Sequence, residues 1–237
     1  MSEMKNALGV LGGMGPLASQ LLYRRITEKT MAMKDQDHID LILLSHATMP
    51  DRTEAILSGE TQAVHDLLLQ DCKTLELLGC KGIAVACNTA HYFIHRFEEQ
   101  LNIPVISMIR EAAEELAKTR PCGRIVILAT DGTIQTGLYQ EALKGKGLDA
   151  WIPDCEVQQA VMNLIYGCIK KGQPSDEDAL KRIDEGVRAA GCVGALLACT
   201  ELSVIGREMK LDEFYLDPME VLADRVVSFM DKELRKA

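Results

Sequence analysis

The sequence predicts an α/β fold in which short parallel strands alternate with helical crossovers and the chain divides into two similar halves. Two observations carry this. Short, continuously apolar runs alternate with longer stretches of helical spacing, the pattern of strands covered on both faces and joined by helices. Each half also repeats one local theme, an apolar strand ending in Ala-Cys with a threonine within two residues: Ile83-Ala84-Val85-Ala86-Cys87-Asn88-Thr89 in the first and Ala195-Leu196-Leu197-Ala198-Cys199-Thr200 in the second.

Taken in order, residues 7–11 form the first strand, unbroken apolar sequence that runs into Gly12, Gly13 and Gly15 and hence a tight turn. Helical spacing follows over 16–31. Strands at 41–45 and 82–86 enclose a helix over 61–78, and a helical stretch over 89–101 leads to a strand at 105–107. After a helix at 108–118 the second half opens at 124–129, a strand that runs into Thr130 as the first runs into its glycines. Helices at 157–170 and 175–190, the latter capped by Ser175 with Asp178 in an acidic first turn, precede the strand at 194–198. Helices at 201–209 and 219–234 complete the chain. Asn102-Ile103-Pro104 breaks the helical pattern and Asp217-Pro218 marks a return crossing. The expected division is therefore one lobe of residues 1–103 and 217–237 and another of 104–216, the last helix packing back on the first lobe.

Composition narrows the function. The chain has 237 residues, 47% of them hydrophobic, which excludes a disordered or disulfide-stapled mini-protein. Lys and Arg number 26 against 35 Asp and Glu, a net charge of -9 without a basic block, so nucleic acid is not an expected partner. No apolar run approaches the roughly 18 residues of a membrane span. Residues 7–18, with Gly9, Gly12, Gly13, Gly15 and Pro16, read as a strand entering a turn rather than an export signal, and the eight cysteines are accordingly expected to be reduced thiols of a cytoplasmic protein. None stands in a CxxC pair, which argues against a zinc ribbon or a thioredoxin-like redox motif. Cys72, Cys80, Cys122, Cys155, Cys168 and Cys192 are expected to be core filling.

Cys87 and Cys199 are different, because both fall at the carboxyl end of a strand, where open α/β sheets bind ligands. A polar residue and a predicted helix follow each, and a helix N-terminus lowers a thiol pKa and holds carboxylates. Two thiols across one small molecule suit stereoinversion at a carbon bearing an acidic proton: one removes the proton, the other supplies one to the opposite face, and the roles exchange in the reverse direction.

Four segments in order, Gly9-Val10-Leu11-Gly12-Gly13-Met14-Gly15-Pro16, Pro50-Asp51-Arg52-Thr53, Ala86-Cys87-Asn88-Thr89-Ala90-His91 and Ala198-Cys199-Thr200-Glu201, resemble the aspartate/glutamate racemase family, specifically its aspartate racemase branch. The resemblance implies two pseudo-symmetric lobes with the active site in the cleft between them, a homodimer, and racemisation of an amino acid, aspartate first, without pyridoxal phosphate or any other cofactor or metal. It implies Cys87 and Cys199 as the two acid/base groups, Asn88, Thr89 and Thr200 as ligands of the α-amino and α-carboxylate groups, and Arg52 as a carboxylate ligand. Ile165-Tyr166-Gly167-Cys168-Ile169-Lys170-Lys171-Gly172 is similar to a segment whose lysine meets the substrate's side-chain carboxylate, which points to Lys170, with Lys171 as the alternative. Arg and Lys placed locally are what a net-acidic protein needs to bind a dicarboxylate.

Weaker candidates surround these. The glycine turn lacks the GxGxxG spacing of a dinucleotide loop and is expected to bring backbone N–H groups near a carboxylate, with Met14 lining the pocket. His91 and His95 stand four apart but without the Glu of HExxH or a third ligand, so His91 is a candidate for orienting the Cys87 loop. Thr130 and Glu201 are supporting candidates, Glu201 for steering protonation at Cys199. Two rival functions stay open at this level: a one-thiol isomerase, decarboxylase or hydrolase, and a two-lobed module that binds an amino acid without changing it.

Overall fold

The computed structural model describes residues 6–209 and 211–236. Two four-stranded, all-parallel sheets organise it. In chain order the first half contributes β1 (Ala7–Gly12), α1 (Pro16–Lys29), β2 (Leu41–Ser45), α2 (Arg52–Ser58), α3 (Gln62–Leu77), β3 (Cys80–Val85), α4 (His91–Ile94) and β4 (Val105–Ile106). The second contributes α5 (Met108–Thr119), β5 (Arg124–Leu128), α6 (Asp131–Thr136), α7 (Leu138–Lys144), β6 (Asp149–Trp151), α8 (Cys155–Met162), α9 (Glu177–Ala189), β7 (Gly194–Leu197), α10 (Thr200–Met209), β8 (Tyr215–Leu216) and α11 (Pro218–Phe229).

Strand order is β2-β1-β3-β4 in one sheet and β6-β5-β7-β8 in the other, the same permutation of four consecutive strands. The internal repeat is thus a repeat of topology. Both central strands of each sheet are buried along most of their length because helices cover both faces. On one face of the first sheet Leu11, Val85, Leu68 and Phe93 form a core; on the other, Leu8, Val10 and Ala84 meet Leu22, Met108, Leu222 and Val226. The second sheet packs Val126 and Leu197 against Val161, Ile183 and Leu202, and Ile125 and Leu196 against Ile109, Leu116 and Val221. Helices α5 and α11 pack side by side and feed residues to the cores of both sheets.

Several expected boundaries move. Strands β6 and β8, of three and two residues, go unforeseen because so short a run has no period to read. The helix expected over 89–101 collapses to α4 and a 3₁₀ turn at Glu98–Gln100. Asp176, not Ser175, caps α9, its carboxylate accepting from Ala179 N–H at 3.0 Å. The helix expected over 157–170 starts at Cys155 under an Asp154 cap, then widens into a π-helical turn at Asn163–Cys168 and tightens at Ile169–Lys171. Cys122 and Cys155 are exposed rather than core filling, whereas Cys72 and Cys80 are buried as expected. Among the described residues no helix is long and apolar enough to cross a membrane.

Candidate active site

Cys87 and Cys199 each stand two residues beyond a central strand, past Val85 of β3 and Leu197 of β7, rather than on its last residue. The matched topology brings the two loops together, and both thiols line one small chamber with Met14, Arg52, Asn88, Thr89, Thr130, Lys170, Thr200 and Glu201. His91 lies behind it. The chamber takes in Lys170, whereas Lys171, the alternative to it, stands outside and exposed. The chamber also recruits Asp51, Thr53 and Tyr166, which had no assigned role.

Local structure explains each placement. Gly13, at φ +90, takes a backbone conformation that side chains disfavour, and a Cβ there would lie 2.4 Å from His46 N. Its N–H is engaged within the protein. It donates to Ser19 Oγ at 2.8 Å, and Ser19 in turn donates to Gly15 O at 2.9 Å, so the loop is folded onto α1 and presents Met14 to the chamber. Asp51 caps α2, accepting from Thr53 N–H at 2.8 Å and Glu54 N–H at 3.0 Å, and so sets Arg52 and Thr53 on the first turn.

Arg52 is only 7% exposed, and its guanidinium donates to backbone carbonyls: Pro50 O at 2.9 Å, Met49 O and Met14 O both at 3.4 Å. Its Nε is buried without a partner. Asn88 Nδ2 is a second buried donor without a partner, while Asn88 Oδ1 accepts from the buried Tyr139 hydroxyl at 2.5 Å. Two unsatisfied donors on residues that line one chamber are what an anionic ligand would satisfy, since an unpaired buried donor costs about 1–3 kcal/mol. Tyr139, on α7, fixes the orientation of the Asn88 amide, and no local sequence pattern announces it.

The wall between the lobes is made of hydroxyls. Thr53 donates to Thr130 at 3.0 Å, and Thr89 lies 2.7 Å from Thr133 and 3.4 Å from Thr130. A Cβ on Gly132 would stand 2.7 Å from Thr53 Cα, so α6 approaches α2 as closely as a bare glycine permits. A second tie crosses at Asp51, whose carboxylate accepts from Tyr166 Oη at 3.1 and 3.2 Å and from Lys170 Nζ at 3.1 Å. Lys170 also lies 4.0 Å above the Tyr166 ring. Burial alone would lower the Lys170 pKa, but Glu201, Asp51 and Tyr166 outweigh it and raise it. Burial likewise opposes ionisation of Asp51, and the Glu54 N–H, Lys170 and Arg52 hold its carboxyl below the usual range. Both groups are ionised at neutral pH.

The two thiols are not equivalent. His91 Nε2 accepts from Met108 N–H at 3.2 Å, so its proton sits on Nδ1, which donates to Cys87 O at 2.9 Å. Burial pushes the His91 pKa down to about 4, and the neutral ring pins the Cys87 loop to the start of α5, with both nitrogens engaged. Cys199 donates from Sγ to Glu201 Oε2 at 2.9 Å. Burial and that carboxylate push its pKa well up, against the expected lowering by the helix N-terminus. On the far side of Met14, Arg52, Lys170 and Glu201 a vestibule of about 430 Å³ leads toward solvent; the chamber itself holds about 10 Å³, room for one water.

The family model for Asp/Glu/Hydantoin racemase matches residues 11–226. The chain belongs to that family. This racemase-family chain is 26% identical over 227 residues to the broad specificity amino-acid racemase RacX of Bacillus subtilis, covering 93% of this chain and 96% of that protein. A glutamate racemase of Corynebacterium diphtheriae is 31% identical over 146 residues, 60% of this chain and 53% of that one. Among solved structures, Picrophilus torridus aspartate racemase superposes with a TM-score of 0.80 at 28% identity, covering 98% of this chain and 96% of that one. The expected two-lobed α/β architecture is shared with the Picrophilus torridus aspartate racemase.

Proposed function

We propose that this chain interconverts the enantiomers of a small dicarboxylic amino acid, aspartate first and glutamate next, by direct proton transfer between the α-carbon and two thiols. The observation that carries the reading is the placing of Cys87 and Cys199 at equivalent points of two repeated sheets, on one chamber that also holds a buried arginine and a lysine. In this reading the unpaired donors of Arg52 and Asn88 take the α-carboxylate, with Thr89 and Thr200 beside the reacting centre, and Lys170 leaves Asp51 for the side-chain carboxylate. One thiolate removes the α-proton from one face while the opposing thiol delivers its proton to the other; no other bond changes, and the reverse reaction exchanges the roles. The chamber is too small for an amino acid, so substrate entry parts Asp51 from Lys170 and Tyr166.

Proton NMR in deuterated buffer tests this. With L- or D-aspartate the wild-type protein is expected to replace the α-proton by deuterium and produce the other enantiomer, and Cys87→Ala and Cys199→Ala each to abolish inversion. Inversion that survives in either variant overturns the two-thiol mechanism, and no exchange with aspartate, glutamate or other amino acids overturns the racemase reading.

A further inference from the structure

Among the described residues, Glu201 is the one chamber residue whose side chain hydrogen-bonds a thiol and also lines the vestibule. It is 4% exposed. Its Oε2 accepts from Cys199 Sγ at 2.9 Å and from Thr200 Oγ1 at 3.3 Å. Its Oε1 lies over Gly15 at the mouth of the vestibule, where a Cβ built on that glycine would be 3.2 Å away. The corresponding position beside Cys87 holds Thr89, which belongs to the hydroxyl wall and has no charge to offer. The carboxylate that bridges thiol and vestibule is thus found at Cys199 and has no counterpart at Cys87.

This asymmetry bears on a step that the chemistry of the proposed function leaves unfinished, and the inference rests on that reading. A two-thiol inversion ends with the protons redistributed: the thiol that gave up its proton is a thiolate, and the one that received the α-proton is neutral. An enzyme in that form can only run the reaction backward. To take a second molecule of the same enantiomer it must return one proton to solvent and recover another. We infer that Glu201 is the proton port of Cys199: it carries the Cys199 half of the reset between turnovers, Cys87 exchanging its own proton with water when the chamber opens, and it takes no part in the inversion itself. The carboxylate takes a proton from water in the vestibule, passes it to the Cys199 thiolate and is left as a carboxylate; to discharge Cys199 the same path runs outward. One proton moves from solvent to sulfur and no other bond changes. The raised Cys199 pKa agrees with this, since the resting form is then the thiol, hydrogen-bonded to the port. The charge of Lys170 couples to Glu201 and so balances the port while the chamber is closed.

The distinguishing experiment compares net racemisation with tracer exchange in the wild type, Glu201→Gln and Glu201→Asp. Exchange of isotopically labelled carbon between L- and D-aspartate at chemical equilibrium needs no reset, because each forward turnover is undone by a backward one. Net conversion of a pure enantiomer needs a reset every time. Glu201→Gln keeps an acceptor for the Cys199 thiol but cannot carry a proton. Because it also alters the partner of Cys199, it is expected to slow both processes, with net racemisation falling at least tenfold further than equilibrium exchange. Glu201→Asp is expected to recover part of the net rate. Added formate, small enough to enter the vestibule, is expected to restore net racemisation in Glu201→Gln in proportion to its concentration. Equal losses in both assays in a variant that melts as the wild type does, or no loss in either, overturn the port. A wild-type protein active in neither assay with any amino acid overturns the racemase reading instead, and the port with it.

Discussion

Replacing Asp217 by Asn is expected to stabilise the protein at neutral pH, by an amount that grows as pH rises. The reason lies in how each sheet ends. Four residues beyond each thiol, a side chain reaches the start of the helix after the fourth strand: His91 bonds Met108 N at α5, and Ser203 bonds Asp217, the cap of α11, at 2.7 Å. The two ties titrate in opposite senses. Burial raises the Asp217 carboxyl from 3.8 to about 6, so between those values the folded protein holds a proton that the unfolded chain has lost, and stability falls as pH rises. Burial lowers His91 from 6.5 to about 4, so there the unfolded chain holds the extra proton, and stability falls as pH drops. Each shift of about two units is worth about 3 kcal/mol, and over the shared range the opposed slopes nearly cancel. The amide of Asp217→Asn retains an acceptor for Ser203 and Met219 N–H, so the substitution removes the titration and keeps the cap. In urea denaturation followed from about pH 4 to pH 8, the variant minus wild-type difference is expected to rise by about 3 kcal/mol, with the variant alone losing about 1.4 kcal/mol per pH unit on acidification. A difference that is flat or falls with pH refutes the account.

Tyr139→Phe removes the donor that orients Asn88 and leaves its Oδ1 buried and unpaired; at about 1–2 kcal/mol this is expected to raise KM roughly 5–30-fold with a smaller change in kcat, read by steady-state racemisation. Asp51→Asn keeps the cap of α2 but frees Lys170 and Tyr166, so melting is expected to shift by less than about 1 kcal/mol while KM for a dicarboxylic amino acid falls several-fold; a rise in KM argues that Asp51 helps hold substrate. Gly132→Ala sets a methyl against Thr53 Cα and is expected to wedge α6 from α2, costing more than tenfold in activity for a modest loss of thermal stability. Gly13→Ala meets both a clash with His46 N and a positive φ, and is expected to destabilise the fold by more than about 3 kcal/mol in a thermal melt.

The long apolar strands and the paired Ala-Cys endings were legible because burial on both faces writes itself as continuous apolar sequence. So was Arg52, through the short motif around it. What escaped depends on register between distant elements. Tyr139 reaches Asn88 across 51 residues and Tyr166 reaches Asp51 across 115, and neither carries a local signature. The Cys199 shift runs opposite to the sequence expectation because the helix N-terminus is overruled by burial and by the adjacent Glu201. Asp51 was readable in principle: an acidic residue before Arg-Thr-Glu is a helix cap, and the helix it starts is too short to show a period.

The near-absence of free space around Cys87 and Cys199 also makes the molecule its own clock. Cys122 and Cys155 face solvent, while the two chamber thiols are 5% and 7% exposed behind the Asp51 tie. An alkylating reagent therefore marks the outer pair at once and the inner pair only while the lobes stand apart. Labelling read at Cys87 and Cys199 themselves, apart from the buried core thiols Cys72 and Cys80, then counts openings, and a ligand that seals the chamber registers as protection of two particular sulfurs, whether or not it reacts.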